Sequence, residues 1–501
     1  MPSKQYAILV DRLKDLSYLG SALGLLHWDQ EVHMPPAGAE MRARTIGYLS
    51  GRTHEQFLAL DKDKLLSKLA VALKDKDTAE AASVRDVWRS YRREKKLPVK
   101  FVREFSELCS EAHVVWAKAR ETSDFSLFQP LLEKIVAMKR QEAEYVGYKD
   151  SPYDALLDAY EPGATCAQLS PVFSELRDFL QPFIRRIVRA AASQPSLPDL
   201  KGTFPIEKQK AFNALVAEKM GFSHAAGKID VSTHPFTMGF HPQDVRITTR
   251  YDERDALYAI GSTVHEVGHA LYEQGLPVEH FGTPLGEAVS LGLHESQSRV
   301  WENQIGKGRA FWTYFYPKLQ KAFPKPFKRV VFEDFFRIVN QVRPSLIRTE
   351  SDEVTYNLHI ILRYEIEKGL IEENLKVKDL PGIWKAKMKE YLGVCVPDDR
   401  QGVLQDVHWS GGSIGYFPTY TLGNLYAAQF YAAALRELPR LQTDVAKGRF
   451  APVREWLRQK IHVHGKLHSA QVLVKNVTGE ELSSRYFIEY LKTKYGELYG
   501  V

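Results

Sequence analysis

Residues 264–271 read VHEVGHAL and contain a His-Glu-x-x-His pattern, and the rest of the chain is best understood around it. His265 and His269 are four residues apart, so a helix places both imidazoles on one face. Two imidazoles in that arrangement can bind one zinc ion from the same side. Glu266 flanks the same metal and can take a proton from a metal-activated water and pass it to a leaving amine. The stretch therefore predicts a zinc helix that also carries a general base.

The residues on either side of this stretch also indicate a helix. Asp252 and Asp255 fit an N-terminal cap, with Asp in place of the usual Glu of a capping box. Apolar residues recur beside the histidines at i, i+4 and i+7, and Gly275 and Pro277 predict the end of the helix. In this setting we favour a real zinc helix over a chance match to the pattern.

The composition is that of an ordinary soluble globular protein, with 44% hydrophobic and 26% charged residues among 501. The amino terminus lacks the apolar core of a secretory signal, and the apolar residues 18–26 are too few to span a membrane. The net charge of +6 is mild, and the short basic clusters favour a solvated surface over a nucleic-acid site. Cys109, Cys166 and Cys395 form no CxxC pair and indicate reduced thiols. We expect a cytoplasmic protein that binds neither membrane nor nucleic acid.

Hydrophobic periodicity predicts a mainly helical chain. Helical spacing of apolar residues extends to about residue 225 and resumes from about residue 300. The alternation of Val245, Ile247 and Thr249 with polar residues over residues 244–250 is the one convincing strand signal. An exposed edge of this strand would hold an extended peptide by main-chain hydrogen bonds, whereas the alternative is a small structural hairpin. The length fits about three domains or one large two-lobed body.

A third metal ligand must follow the helix, and the spacing leaves two candidates open, Glu287 and Glu295. Either acid can also be an ordinary surface carboxylate. Further along the chain, Arg348 follows Pro344 at a predicted helix start. Its guanidinium can fork onto a carboxylate, or it can pair with Asp352 on the same helix face. The residues alone favour neither interpretation.

Residues 402–424 are rich in glycine and predict a loop over a site. His408, Tyr416 and Tyr420 in this loop can donate hydrogen bonds to a developing oxyanion, whereas the alternative is a rigid structural loop with buried tyrosines. Near the amino terminus, residues 27–31 (HWDQE) indicate either a second metal site or a helix end that docks against another lobe with its polar groups paired. We favour the docked helix end.

Several motifs in one order give a stronger signal than the zinc motif alone. They are WD to MP (residues 28–35), HPF (234–236), DVRIT (244–248), HEVGH (265–269), HESQ (294–297), IRTESD (347–352) and QDVHW (405–409). Together they resemble the carboxypeptidase Taq family of zinc metallocarboxypeptidases, and the resemblance covers nearly the whole chain. Val267 stands where the family often has Phe, and Ser351 stands where it often has Ala. Neither change removes a functional group.

The resemblance implies a fold and a set of metal ligands. The implied fold is mainly α, a two-lobed helical body with a long central groove and a small β-sheet beside the metal, similar to angiotensin-converting enzyme and neurolysin. It implies that residues 1–501 form a single catalytic domain and that the protein is a homodimer. It also implies Glu295 as the third ligand beside His265 and His269, Glu266 as the general base, and zinc as the metal, for which cobalt can substitute.

The implied function is that of a metallocarboxypeptidase, which hydrolyses the C-terminal peptide bond of a peptide and releases single amino acids. Arg348 would bind the free carboxylate of the terminal residue, and Tyr420 or His408 would stabilise the oxyanion. The residues that would bind the rest of the substrate are His234, Arg246 and Tyr416. The alternatives are a groove-type endo-oligopeptidase and a catalytically inactive peptide-binding relative, and the intact Glu266 argues against the second.

Overall fold

The computed structural model describes residues 3–501, and its first half is built of helices. They are α1 (Lys4–Val32), α2 (Ala39–Leu58), α3 (Leu65–Ala72), α4 (Ala79–Lys96), α5 (Val99–Thr122), α6 (Phe125–Val146), α7 (Pro152–Leu157), α8 (Cys166–Ser193) and α9 (Ile206–Met220). Local capping sets several of the starts. The Ser3 hydroxyl accepts a hydrogen bond from the Tyr6 amide at the start of α1, and Thr165 and Gln168 form a capping box at α8. The helices predicted up to about residue 225 are confirmed.

A small sheet follows, with strands β1 (Gly227–Val231), β2 (Thr237–His241) and β3 (Asp244–Thr249). The strand predicted over residues 244–250 is confirmed, but the expectation that it offers a free edge is wrong. β3 lies between β1, to which it is parallel, and β2, to which it is antiparallel. The side chains of Val245 and Ile247 on β3 are fully buried, which suits a central strand, so β1 and β2 form the edges.

Helix α10 (Ala256–Glu273) carries the His-Glu-x-x-His pattern directly after the sheet. The Asp255 carboxylate caps it by accepting hydrogen bonds from the amides of Leu257 and Tyr258 at 2.9 and 3.2 Å. Asp252 instead accepts from the amide of Arg254 in the preceding turn. The cap is therefore Asp255, and the helix ends just before Gly275, as the sequence predicts.

The rest of the chain is helical again. Helix α11 (Leu291–Arg299) continues into a π-helix, Val300–Gly306. The remaining helices are α12 (Arg309–Ala322), α13 (Phe332–Val339), α14 (Tyr356–Ile371), α15 (Leu380–Leu392), α16 (Pro418–Glu437), α17 (Leu441–Ala446), α18 (Ala451–Lys460), α19 (Ala470–Thr478) and α20 (Arg485–Tyr499). Within residues 3–501, no helix is long and apolar enough to cross a membrane. The prediction of a mainly α fold with a small sheet is confirmed, and the two lobes with their groove stay a prediction.

Buried hydrophobic side chains form two clusters. The larger cluster extends from α5 to α20, and the smaller cluster joins α1, α3 and α4. Residues 27–31 connect the helices of the smaller cluster to the sheet, because Trp28 is buried with its ring 5.2 Å from the ring of Phe236. Asp29 forms an ion pair with Arg42. These contacts confirm that the helix end is docked through Trp28. His27, Gln30 and Glu31 are exposed, so the expected pairing of its polar groups holds for Asp29 alone.

Candidate active site

Helices α10 and α11 bring together the three side chains that are predicted to bind the metal. The ligand atoms of His265, His269 and Glu295 all lie within 4.8 Å of one another. Glu295 Oε2 is 3.3 Å from His269 Nε2 and 3.8 Å from His265 Nε2. Glu287, the other acid that the spacing left open, is exposed and pairs with Lys466 at 2.6 Å. The structure therefore places Glu295, and not Glu287, beside the two histidines.

The Nδ1 atoms of His265 and His269 each have a hydrogen-bond partner. His265 Nδ1 is 2.8 Å from Glu302 Oε2, and His269 Nδ1 is 2.6 Å from His294 Nδ1. His294 Nε2 is in turn 2.7 Å from Glu273 Oε1. When each Nδ1 carries the proton of its hydrogen bond, both Nε2 lone pairs face Glu295. Two neutral imidazoles and one carboxylate are a donor set that fits a divalent metal such as zinc.

The charges around His269 and Glu295 favour this ligand state. At His265 burial lowers the pKa, but the Glu295 and Glu302 carboxylates outweigh it and raise the pKa, so a metal bound there displaces a proton. Burial lowers the pKa of His269 to about 3, so its imidazole is neutral at pH 7. Burial also opposes the ionisation of Glu295, but the Arg299 guanidinium and His265 outweigh it and hold the pKa of the Glu295 carboxyl below its usual range. Arg299 Nε donates a hydrogen bond to Glu295 Oε1 at 2.6 Å. Glu295 is therefore a carboxylate at neutral pH.

Glu266 is buried on α10 and is held by the sheet. The hydroxyl of Thr237, on edge strand β2, donates a hydrogen bond to Glu266 Oε2 at 2.6 Å. Burial raises the pKa of Glu266 above its ordinary value. A carboxylate with a raised pKa accepts a proton more readily near neutral pH, which suits a general base.

Arg348 lies in a short turn, Arg348–Glu350, and forks onto a carboxylate that is distant in sequence. Its Nε and Nη2 donate hydrogen bonds to Asp406 Oδ1 at 3.0 and 2.8 Å. The alternative pairing with Asp352 is wrong, since Asp352 Oδ1 accepts from backbone amides at the turn before α14. Arg363 donates to the other oxygen of Asp406, at 2.7 Å. Two guanidiniums share one carboxylate, so this buried cluster keeps one net positive charge.

The predicted oxyanion donors lie beside Arg348. His408 Nε2 is 3.3 Å from the Tyr420 hydroxyl, and the rings of Tyr416 and Tyr420 are 5.4 Å apart. The Arg348 guanidinium lies over the Tyr420 ring, 5.0 Å from its centroid. The loop predicted over residues 402–424 ends early, and Tyr420 lies instead in the first turn of α16, which begins at Pro418. Pro at the first helical position starts that helix.

Helix α16 connects this group of side chains to the metal-binding set. Gly423, one turn after Tyr420, packs so closely on α11 that a Cβ there would lie 2.4 Å from Glu295 Cγ. His234 and Arg246 lie elsewhere, at the sheet. His234 is exposed between β1 and β2, and Arg246 pairs with Asp244 at 2.9 Å. The roles of both in substrate binding stay predictions.

Comparison with known proteins finds similarity to carboxypeptidases over the whole chain. The family model described as carboxypeptidase Taq (M32) metallopeptidase matches residues 8–495. Carboxypeptidase 1 of Bacillus subtilis is 41% identical over 489 residues, which cover 98% of this chain and 97% of that protein. Thermostable carboxypeptidase 1 of Thermus thermophilus is 42% identical and covers 100% of both chains. The crystal structure of the M32 carboxypeptidase from Deinococcus radiodurans R1 has a TM-score of 0.95 at 39% identity, and covers 100% of both chains.

The chain belongs to the carboxypeptidase Taq (M32) family. It is a metallocarboxypeptidase, and the predicted family and enzyme class are confirmed. The family implies a divalent metal and peptide substrates. Which metal binds, and what each residue does, stay predictions.

Several residues that surround the site of this M32 enzyme were not predicted from the sequence. Thr237 holds Glu266, while Glu302 and the His294–Glu273 pair hold the histidines. His294 had a usable signal, because it is part of the HESQ motif. Glu302 belongs to none of the quoted motifs; it lies in the π-helix Val300–Gly306, seven residues after Glu295, with its carboxylate beside His265.

Proposed function

We propose that this M32 enzyme hydrolyses the last peptide bond of a peptide and releases single C-terminal amino acids, with zinc held by His265, His269 and Glu295. Cobalt would substitute for zinc, because two imidazoles and a carboxylate accept both metals. The observation that carries the proposal is the position of Arg348. Its guanidinium stacks on Tyr420, one turn of α16 before the glycine that touches Glu295. A cationic group this close to the ligand set fits a substrate that ends in a carboxylate.

When bound, the metal would supply a Lewis acid that polarises the scissile carbonyl and lowers the pKa of a water. The chain itself supplies the proton transfer. Glu266 takes the proton of the attacking water on its carboxylate and later gives it to the nitrogen of the leaving amino acid. The hydroxyl of Thr237 keeps the Glu266 carboxylate in one orientation, at 2.6 Å. Tyr420 and His408 stabilise the negative charge that develops on the carbonyl oxygen.

Selection of the chain end is assigned to the cluster of Arg348, Arg363 and Asp406. Both guanidiniums pair with Asp406. Arg363 is fully buried, whereas Arg348 keeps 6% of its surface exposed, so Arg348 is the one that a substrate carboxylate would reach. A free terminal carboxylate would satisfy the remaining positive charge, and an amide would not. Tyr416, packed at right angles to Tyr160 with ring centroids 5.2 Å apart, would line the same end of the substrate.

The main chain of the substrate needs a free strand edge, and we assign it to β2. Since β3 is central, an extended peptide would pair with β2 at its Thr237 end, which already contacts Glu266. At the other end α1 covers the edge, where the Ser21 hydroxyl donates to the Phe240 backbone oxygen at 3.3 Å. His234 and Arg246 would flank this peptide from the turn before β2 and from β3. We further propose that residues 1–501 form one catalytic domain, and that the enzyme is a cytoplasmic homodimer.

The proposal is tested with one unblocked peptide and its C-terminally amidated twin, each incubated with and without a chelator and followed by mass spectrometry. We expect stepwise loss of residues from the unblocked peptide alone, abolished by the chelator and restored by zinc or cobalt. Glu266→Gln serves as the matched inactive control. Internal cleavage of both peptides would show an endo-oligopeptidase, and no cleavage of either by metal-loaded protein would show a peptide-binding relative.

A further inference from the structure

The first turn of α11 is held by a segment that belongs to none of the motifs around the metal. The backbone oxygen of Tyr160 accepts a hydrogen bond from the Leu291 amide at 3.4 Å. The next residue, Glu161, is buried with 1% of its surface exposed. Its Oε2 accepts from the Gly292 amide at 3.0 Å, and its Oε1 accepts from the Ser290 hydroxyl at 3.0 Å. The Ser290 hydroxyl oxygen itself accepts from the Leu293 amide at 3.2 Å. Three successive amides at the start of α11 are thereby satisfied.

The same carboxylate also reaches α16. The Tyr426 hydroxyl donates a hydrogen bond to Glu161 Oε1 at 3.3 Å. Tyr426 lies one turn after Gly423, the residue that packs against Glu295. Glu161 is therefore hydrogen-bonded to α11 and α16, the two helices that enclose the Glu295 side chain. On both helices its contact lies about one turn away from Glu295. Across residues 3–501, Glu161 has no ion pair with a cation. Burial raises the pKa of its carboxyl to about 7, and the hydrogen bonds and the positive end of α11 stabilise its ionised form against that burial.

The packing around Glu161 leaves little freedom. A Cβ at Gly292 would lie 2.7 Å from Glu161 Oε2 and 3.2 Å from the Leu422 Cβ. A methyl group at this position would therefore push the Glu161 carboxylate away from the Gly292 amide. Because α11 is a short helix, with Glu295 one turn after Leu291, a shift of its first turn moves the Glu295 carboxylate directly.

We propose that Glu161 is a positioning residue that fixes the first turn of α11 and thereby aims the Glu295 carboxylate at His265 and His269. The inference rests on the proposed ligand set. The Glu161 carboxylate touches neither substrate nor metal, and it acts through the Gly292 amide. It makes the affinity for the metal depend on a residue in the turn after α7.

Two variants disturb the hydrogen bond between the Gly292 amide and the Glu161 carboxylate, one at each residue. Glu161→Gln keeps the size of the side chain but replaces one acceptor oxygen with a donor. Gly292→Ala leaves Glu161 in place and crowds its carboxylate. Alanine is the better helix former, so helix propensity alone would make Gly292→Ala neutral or favourable. If Glu161 positions α11, Gly292→Ala should instead weaken zinc binding. The direction of the effect therefore separates helix propensity from positioning by Glu161.

Glu367 provides a matched control. It is also fully buried and accepts three hydrogen bonds, from Tyr153, Trp409 and the Gly415 amide at 2.7, 2.8 and 2.9 Å. Unlike Glu161, it makes no contact with α11 in these hydrogen bonds. Glu367→Gln therefore tests whether any loss of a buried, three-fold hydrogen-bonded carboxylate loosens the metal site.

The measurement is the dissociation constant for zinc, from competition with a chelator, together with the melting temperature of each metal-free protein. We expect Glu161→Gln and Gly292→Ala to weaken zinc binding by about tenfold or more, a typical effect of a residue that orients a ligand. Glu367→Gln should stay within about twofold of the wild type, a margin well below that tenfold effect. If one variant fails to fold, the other decides.

Wild-type affinity in a folded Glu161→Gln or Gly292→Ala protein would overturn the proposal, and so would an equal loss in Glu367→Gln. Glu295→Ala tests the ligand set separately. Unchanged zinc binding in Glu295→Ala would refute the ligand set, and with it the role of Glu161. Loss of zinc in Glu295→Ala with wild-type affinity in both Glu161→Gln and Gly292→Ala would refute Glu161 alone.

Discussion

The two glycines on one face of α10 give a direct test of how the metal site is assembled. Gly268 lies between the two histidines and faces the backbone of α11. A Cβ at Gly268 would lie 2.6 Å from Ser298 Cα and 2.9 Å from the Gln297 backbone oxygen. Gly261, two turns earlier on the same helix, has nothing within 4 Å of a Cβ at its position. Gly268→Ala and Gly261→Ala are thus the same chemical change in a crowded and an open place.

The magnitudes follow from these distances. Both variants gain about 1 kcal/mol from the better helix propensity of alanine. At Gly268 the contact of 2.6 Å is about 1 Å shorter than an ordinary carbon–carbon contact. Overpacking of this kind costs about 1–3 kcal/mol. We therefore expect Gly261→Ala to stabilise the metal-free protein by up to about 1 kcal/mol, and Gly268→Ala to destabilise it by about 0–2 kcal/mol.

The larger effect of Gly268→Ala should be on metal binding. A separation of α10 and α11 by about 1 Å exceeds the tolerance of about 0.2 Å in metal–ligand distances. The dissociation constant for zinc, measured by chelator competition, should rise by about tenfold or more in Gly268→Ala and stay unchanged in Gly261→Ala. Denaturant unfolding of the metal-free proteins measures the change in their free energy of unfolding. Wild-type zinc affinity in Gly268→Ala would refute the claim that close backbone packing sets the distance between the histidines and Glu295.

Four further outcomes are expected. Glu266→Gln should bind zinc normally and lose about 10²–10⁴-fold in kcat, and a normal rate would exclude Glu266 as the base. Arg348→Ala should lower kcat/KM for peptides with a free carboxylate while Asp406 stays paired with Arg363, and full activity on those peptides would refute the clamp. Chelation should lower the melting temperature, since metal at a hundredfold excess over its Kd adds about 2.7 kcal/mol, and the shift should vanish in Glu295→Ala. Burial raises the pKa of Glu367 from 4.5 to about 7, so its neutral form stabilises the fold below pH 4.5, and this contribution is lost as the pH rises to about 7. Metal-free Glu367→Gln should therefore gain stability relative to the wild type over that range, by up to about 3 kcal/mol, and parallel pH curves would contradict this.

The parts of the site that depend on short-range geometry could be predicted from the residues alone. The spacing of His265 and His269 sets their common face on any helix, and Asp255 and Gly275 delimit that helix by local backbone chemistry. The helical periodicity of the first half is likewise local. The choice of Glu295 needed more than spacing, and it came from the resemblance of several ordered motifs to one family.

Which distant residues meet could be read only from the packing of the folded chain. Arg348 and Asp406 are 58 positions apart, so no periodicity relates them, and the nearer Asp352 was an equal candidate. The central place of β3 depends on strands on both of its sides, which the alternation within one strand does not reveal. Glu161 lies in the turn after α7, and its contact with α11 exists because that turn packs against α11 and α16. Local chemistry determines which side chains share one face of a helix, and long-range packing determines which of those side chains meet in one site.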